Sequence, residues 1–530
     1  MHSGVKDLQT VLLLLLLFVV IFGYLARKMK VAYPIVLVVA GLFLTFIPGL
    51  PKITLDPEVI FLVVLPPLLF HAAWETSWRE FRANIFTIFL LAFGLVGFTV
   101  FGVAMASELW FSLLYWQTGL VLGAVIAPTD AIAAASIAKR VGLPQRITDI
   151  LEGESLVNDA TGLLALEFAV ALIVSGEKPT LAAGALRLSY LLVAGIGIGV
   201  AVGWIVHWVQ HHIDHGPIEL TLDLISAYAA YIAAEQLHAS GVLSVVACGF
   251  YLSRKSSSFF SPSVRLQAYA LWDTVDFVLN GLVFVLIGLQ LPLVLAGLHG
   301  YKTTTLVFYA ASVNALVIVL RLLWVYPSSY LACIIRTRVR KTPERMPPVK
   351  EIFVTGWTGM RGVVALAAVL SLPLTLANGD PFPRRNLLIF LTFSVILVTL
   401  VLQGLTLPPL IRALGLDSAT GPDCEEDEAR RLMLQAALTY IETTRNPDHP
   451  EVTKVFDDIA GHLQARLAGL QTQPAEGATP HNHYLQISTD LLRIERETAL
   501  QLRNDGHISD TVLRKLEREL DLSETRMSAI

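Results

Sequence analysis

Residues 153–164 read GESLVNDATGLL, and within them Ser155, Asn158 and Asp159 are spaced i, i+3, i+4. On a helix that spacing sets a hydroxyl, an amide carbonyl and a carboxylate on one face, an oxygen set suited to a hard monovalent cation. The surrounding run from Leu151 to Val174 is apolar and long enough to cross a bilayer. An ionised carboxylate at mid-membrane costs roughly 2.5–3.5 kcal/mol on insertion scales. A bound proton or a bound cation each neutralises that charge, so the two compete for one site. The chemistry expected of Asp159 is therefore ion exchange. Glu154 lies about 100° round the same helix from Ser155 and points elsewhere, which implies a separate role for it.

Two further apolar stretches carry residues that lipid would reject. In APTDAIAAASIAKR (127–140), Pro128 removes a helix donor and obstructs the preceding turn, so Ala127–Asp130 is expected to break the helix. Breaks at membrane depth are tolerated where protein or a water-filled cavity satisfies the backbone. Thr129 adds a hydroxyl there. Asp130 is either a cation ligand or a countercharge for the positive end of a half-helix, and the second reading is preferred. In TGWTGMRGVVALA (355–367), Gly356, Gly359 and Gly362 interrupt the run in the same way. Two interrupted spans, seven apart in order, fit the halves of an internal repeat. Arg361 lies at this second break and Arg321 in the preceding span. Buried guanidinium groups need a carboxylate, and Glu154 is the leading partner for one or both, as a structural pair. His71 and Glu75, at i and i+4, are candidates for an approach funnel. Asp273, Asp276 and Asn280 could line a vestibule or a subunit interface, and His207, His211, His212 and His215 read as solvated loop residues.

The elements that position these groups follow from composition. The chain has 530 residues, 54% hydrophobic and only 15% charged, against about one quarter charged in soluble domains. It reads as an all-α polytopic membrane protein with about thirteen spans between residues 8 and 411. The first run, 8–26, lacks a small-residue cleavage site and reads as a retained span rather than a signal peptide. Loops after odd-numbered spans hold 17 Lys and Arg, whereas the N-terminus and the even-numbered loops hold 7. That bias places the N-terminus outside and the C-terminus in the cytoplasm. Residues 1–412 form the expected transmembrane domain and 413–530 a cytoplasmic tail. Helices are expected in the tail over 426–445, 484–504 and 509–526, the last capped by Ser509, with a linker from Gln471 to Asn482. The net charge of −4 carries no sign of nucleic acid. The three cysteines are too dispersed for a metal site, and no cofactor is implied.

GESLVNDATGLLAL, APTDAIAAASIA, SGVLSVVACGFYLSR, LWDTVDFVLNGLVFVLIGLQLP and GWTGMRGVVALAAVLSLP together resemble the monovalent cation:proton antiporter family that contains the Na+/H+ exchangers. The resemblance covers residues 10–412 and reaches the tail only loosely. It implies a homodimer in which a scaffold carries a mobile core with two discontinuous, crossing helices. It also implies an ion site at Thr129, Ser155, Asn158 and Asp159, with Na+ held by Asp159, Ser155 and Thr129, and a structural Glu154–Arg361 pair with Arg321 nearby. Where many relatives place an acid after LPPLLF, this chain has His71. The Asn-Asp pair resembles the electroneutral branch, one cation per proton. The function implied is exchange of Na+ or Li+ for H+ by alternating access in a bacterial plasma membrane. K+/H+ exchange and, further off, a cation channel are the alternatives. Ser155 has no histidine within its span to act as a base, so an enzyme is not expected.

Overall fold

The computed structural model describes the chain outside residues 1, 30, 46–56, 111–113, 142, 175–179, 214, 299, 341–345, 377–378, 417–421, 445–455, 458, 462, 465, 468–479, 506, 508–509 and 529–530. The described residues are almost entirely helical and contain no strand beyond an isolated bridge between Thr375 and Pro381. Two compact units divide at Ser418. Eight helices among the described residues are long and apolar enough to cross a membrane, joined by the shorter apolar helices Tyr33–Leu44 and Trp116–Ile126.

In the first unit we number the helices α1 (His2–Met29), α2 (Tyr33–Leu44), α3 (Pro57–Glu75), α4 (Ile85–Trp110), α5 (Trp116–Ile126), α6 (Ala131–Val141), α7 (Gln145–Val174), α8 (Leu181–Gln210), α9 (Gly216–Gln236) and α10 (Gly241–Phe259). They continue as α11 (Pro262–Leu289), α12 (Thr303–Arg340), α13 (Val349–Trp357), α14 (Val363–Leu370) and α15 (Arg385–Leu414). The expected span at 113–138 is two half-helices, α5 and α6, separated at Ala127–Asp130. The expected span at 350–376 is likewise α13 and α14, separated at Thr358–Gly362. Pro66 and Pro67 act more mildly on α3. A π-helical turn at Ile60–Val64 precedes them, which lets the chain absorb ring clashes with upstream carbonyls without ending the helix.

Among the boundaries that differ from expectation, one changes the setting of a charged residue. The span expected to end at 332 continues as helix to Arg340, so Arg336 is helical, 4% exposed, and donates to Asn84 Oδ1 at 3.4 Å. A basic residue read as loop is instead buried on a helix.

Two packed groups result. Leu65–Trp74 of α3, Ala227–Tyr231 of α9, Val242–Leu252 of α10 and Val264–Trp272 of α11 supply one apolar cluster. The other draws on α1, α2, α4–α7 and α12–α15, and takes in Val283–Ile287 of α11. Helices α2 and α11 touch backbone to backbone. A Cβ on Gly41 would overlap the Val285 carbonyl and sit 3.1 Å from the Gly288 Cα, and one on Gly288 would overlap the Val38 carbonyl. Without a hydrophobic drive inside a bilayer, such close approach of small residues is what holds two helices together. A valine at Gly288 is therefore expected to cost about 1–3 kcal/mol, read as a lower Tm of the purified protein in detergent than a Gly97→Val control, since Gly97 has open space at its Cβ.

In the second unit the described helices are Pro422–Thr444, Pro480–Asn504 and Asp510–Ser528, close to the three expected segments. Leu492, Ala499 and Leu513 are buried. Arg496 joins the last two helices through Asp521 at 2.5 Å and Glu524 at 2.9 Å. The Ser509 cap and the body of the linker, 471–479, lie outside the described residues.

Candidate functional site

The two helix breaks meet, and each satisfies the other. The Asp130 N–H donates to the Met360 carbonyl at 2.8 Å. Arg361 donates through Nε to the Ile126 carbonyl at 3.0 Å, and through its backbone N–H to Thr399 Oγ1 at 3.2 Å. Its Nη1 donates to the Gly359 carbonyl. One guanidinium thus ties down carbonyls at both breaks, which a dry interior would otherwise leave exposed at a cost of several kcal/mol each.

The Asp130 carboxylate lies against Gly362, where any Cβ would overlap its Oδ2. Gly362 directly precedes α14 and Asp130 directly precedes α6. The carboxylate therefore sits where two half-helix N-termini come together, the position at which negative charge is favoured.

Glu154 is 1% exposed and takes a bidentate pair from Arg321, Nη1 to Oε1 at 2.5 Å and Nη2 to Oε2 at 2.9 Å. Arg321 also donates to the Thr355 carbonyl at 3.2 Å. The pairing implied by the family resemblance is corrected here: Arg321, rather than Arg361, holds Glu154. The reason is that the α12 side chain approaches both carboxylate oxygens in fork geometry, while Arg361 is engaged by backbone carbonyls.

A hydrogen-bond chain extends from this pair. Thr129 Oγ1 donates to Glu154 Oε1 at 3.0 Å and accepts from Asn158 Nδ2 at 2.8 Å. A hydroxyl has two acceptor lone pairs, so Thr129 keeps one for a ligand. Ser155 and Asp159 face a cavity of about 260 Å³, which Thr129 and Asp130 also line. Asn158 is not among the lining residues; its amide is turned to Thr129, and its Oδ1 has no hydrogen-bond partner among the described residues. The structure thus brings Thr129, Ser155 and Asp159 to one space and sets Asn158 behind them.

The opposite wall comes from α2, α3 and α11 through Tyr33, His71, Glu75, Asp276 and Asn280. His71 Nε2 stands 3.9 Å from Glu75 Oε1, with the imidazole buried and Glu75 41% exposed. Asn280 Nδ2 donates to Asp276 Oδ1 at 2.8 Å, so that pair lines the cavity. Sequence reasoning missed Tyr33, Ser136 and Glu152 in the lining, because nothing in their own helices marks which face turns inward. It also missed Asp223, fully buried and accepting from Trp272 Nε1 at 2.8 Å. An acid within the apolar stretch of α9 was the available signal. Glu167, a further carboxylate on α7, pairs with Arg187 at 3.3 Å.

With the geometry in place, the likeness to known proteins is decisive. A family model described as "Sodium/hydrogen exchanger, transmembrane" matches residues 13–413. The chain belongs to the sodium/hydrogen exchanger family. An uncharacterized Na(+)/H(+) exchanger of Mycobacterium tuberculosis is 34% identical over 96% of this chain and 94% of its own length. The Na(+)/H(+) antiporter ApNhaP of Aphanothece halophytica is 32% identical, over 91% of this chain and 90% of that protein. Among solved structures, the sodium proton antiporter MjNhaP1 of Methanocaldococcus jannaschii shares the fold, with a TM-score of 0.55 and 19% identity over 77% of this chain and 99% of that one. This exchanger-family chain is accordingly a transporter of cations and protons.

Removing one member of the buried pair leaves an uncompensated charge, at about 3–5 kcal/mol. Arg321→Met is therefore expected to lower the Tm and folded yield markedly. The Glu154→Gln/Arg321→Met double variant recovers much of that loss, so that a double-mutant cycle gives a coupling well above zero.

Proposed function

We propose that the chain exchanges Na+ or Li+ for H+ across the membrane, with Asp159 as the group that binds either ion in turn. The observation that carries this reading is the placement of Asp159, 6% exposed, on a cavity wall beside the Ser155 and Thr129 oxygens. A bare carboxylate there is disfavoured, whereas a protonated or cation-bound one is neutral. If the core crosses readily only in the neutral forms, cation and proton move in opposite directions with no ATP. Ser155 and Thr129 complete an oxygen shell for the cation. Asn158 acts through Thr129 by holding its hydroxyl. Asp130 acts as the countercharge at the crossing, and Glu154, Arg321 and Arg361 as the scaffold that keeps the breaks in register.

One cation per proton follows if Asp159 alone alternates, since Asp130 is committed to the helix ends and Asp276 to Asn280. The loop charge bias supports a cytoplasmic C-terminus, which puts the Glu75 end of α3 and the cavity mouth on the cytoplasmic side. The family resemblance and the compact tail support a homodimer in a bacterial plasma membrane, with residues 1–412 as the transport domain and 413–530 as the cytoplasmic tail.

The test is reconstitution into vesicles with an internal pH dye and external Na+, Li+ or K+. Na+ or Li+ should drive proton movement that persists at clamped zero potential and is lost in Asp159→Asn, with the variant still monodisperse by size exclusion. Full exchange in Asp159→Asn would sink the assignment of that residue. Response to K+ alone would keep the mechanism and change the cargo, and cation flux without protons would favour a channel. A rate unchanged by an imposed potential is expected for the electroneutral stoichiometry.

A further inference from the structure

Among the described residues, the ligand atoms of His71, Glu75 and Asp273 converge to within 4.8 Å of one another, a combination of one imidazole and two carboxylates. His71 and Glu75 lie one turn apart on α3, and Asp273 comes from α11, so two helices share the cluster. The imidazole is not free to wander. It stacks on Trp272 at 6.0 Å between centroids and 12° between planes. Trp272 is 1% exposed, stacks on Phe70 at 4.9 Å, and is pinned by its hydrogen bond to the buried Asp223 at 2.8 Å. A ligand nitrogen held by packing, with two exposed carboxylates that can swing towards it, is the arrangement that a divalent transition metal takes up.

The distances suit such an ion. Zinc bonds nitrogen and carboxylate oxygen at about 2.0–2.2 Å, so tetrahedral ligand atoms stand about 3.3 Å apart. The His71 nitrogen and the Glu75 oxygen are 3.9 Å apart, a separation that a rotation of the Glu75 side chain closes. An imidazole selects zinc, cobalt or nickel over magnesium and calcium, which favour oxygen.

The position gives the cluster a consequence. Glu75 and Glu152 line both the 260 Å³ cavity that reaches Asp159 and a neighbouring cavity of about 670 Å³. The cluster therefore reaches both cavities through Glu75, while His71 lines the first. We propose that His71, Glu75 and Asp273 form a divalent transition-metal site at the mouth of the cation cavity, and that metal bound there slows exchange by setting a double positive charge in the path of a monovalent cation. The binding stands on its own; the effect on exchange rests on the antiporter reading.

The test takes the purified full-length protein in detergent, titrated with Co2+ alone and followed by its visible absorption, with Zn2+ as competitor. One tight equivalent per chain is expected, weakened about tenfold or more in both His71→Ala and Asp273→Asn. Asp273 is exposed, so its variant reports even if the buried His71 change disturbs folding. Affinity unchanged in Asp273→Asn would overturn the site. In vesicles, Zn2+ should lower the Na+-driven proton rate of the wild type, and should need about tenfold more metal in Asp273→Asn, each rate normalised to its own metal-free value. Tight binding with no slowing would overturn the gating role. Absence of metal-free exchange in the wild type would instead fail the antiporter reading, and leave the Co2+ result to decide the site.

Discussion

A guanidinium removed from water needs oxygens for its N–H groups, and two guanidinium groups sit side by side inside the first unit, with most of their donors so engaged and Arg321 Nε left without a hydrogen-bond partner among the described residues. Arg321 meets that demand with Glu154, and Arg361 with the carbonyls of Ile126 and Gly359. Because those carbonyls belong to two interrupted helices, the arginines are what allow both helices to be interrupted in the same place. A proline or a run of glycines can break a helix in a bilayer only if the freed groups find partners. Here the partners are mutual, so neither break would be stable without the other.

The proposed ion site is a by-product of that arrangement. Breaking α5 from α6 turns Thr129 towards α7, where its hydroxyl links Glu154 to Asn158. The same break sets Asp130 at two helix starts, with Gly362 permitting the approach. What is left on the cavity side is Asp159 with Ser155 and a remaining lone pair on Thr129. The paired carboxylate and the cavity-facing carboxylate are thus kept on separate faces of one helix. Glu154 is paired with Arg321, and Asp159 faces the cavity. The second wall, from α2, α3 and α11, is held by close glycine packing at Gly41 and Gly288 and carries its own acids, Glu75 and Asp276.

Much of this was legible in the chain. Pro128 and the spacing of Gly356, Gly359 and Gly362 located both breaks, and i, i+3, i+4 spacing set Ser155 and Asp159 on one face with Glu154 on another. Helical geometry alone fixes such relations, since they depend on residues within two turns. Asn158 shows the limit. It shares the angular sector of Ser155 and Asp159, yet the Thr129 hydroxyl in the break between α5 and α6 draws its amide away from the cavity. Periodicity gives a direction for a side chain but not what waits there.

Partner choice between distant segments is the part the sequence left open. Glu154 had two arginines within reach on paper, and only the crossing of α12 with α7 sets Arg321 opposite both carboxylate oxygens. The inward faces of α2 and α11, the burial of Asp223 against Trp272, and the meeting of His71 with Asp273 were equally hidden, because each joins helices far apart in the chain. The sequence by itself determined that the chain is helical, where its helices break, and that carboxylates stand within apolar spans, since hydropathy, proline, glycine and helical spacing are local properties. The tertiary structure decided which charges cancel and which face the cavity, because that depends on distances of a few ångströms between helices that no local pattern encodes.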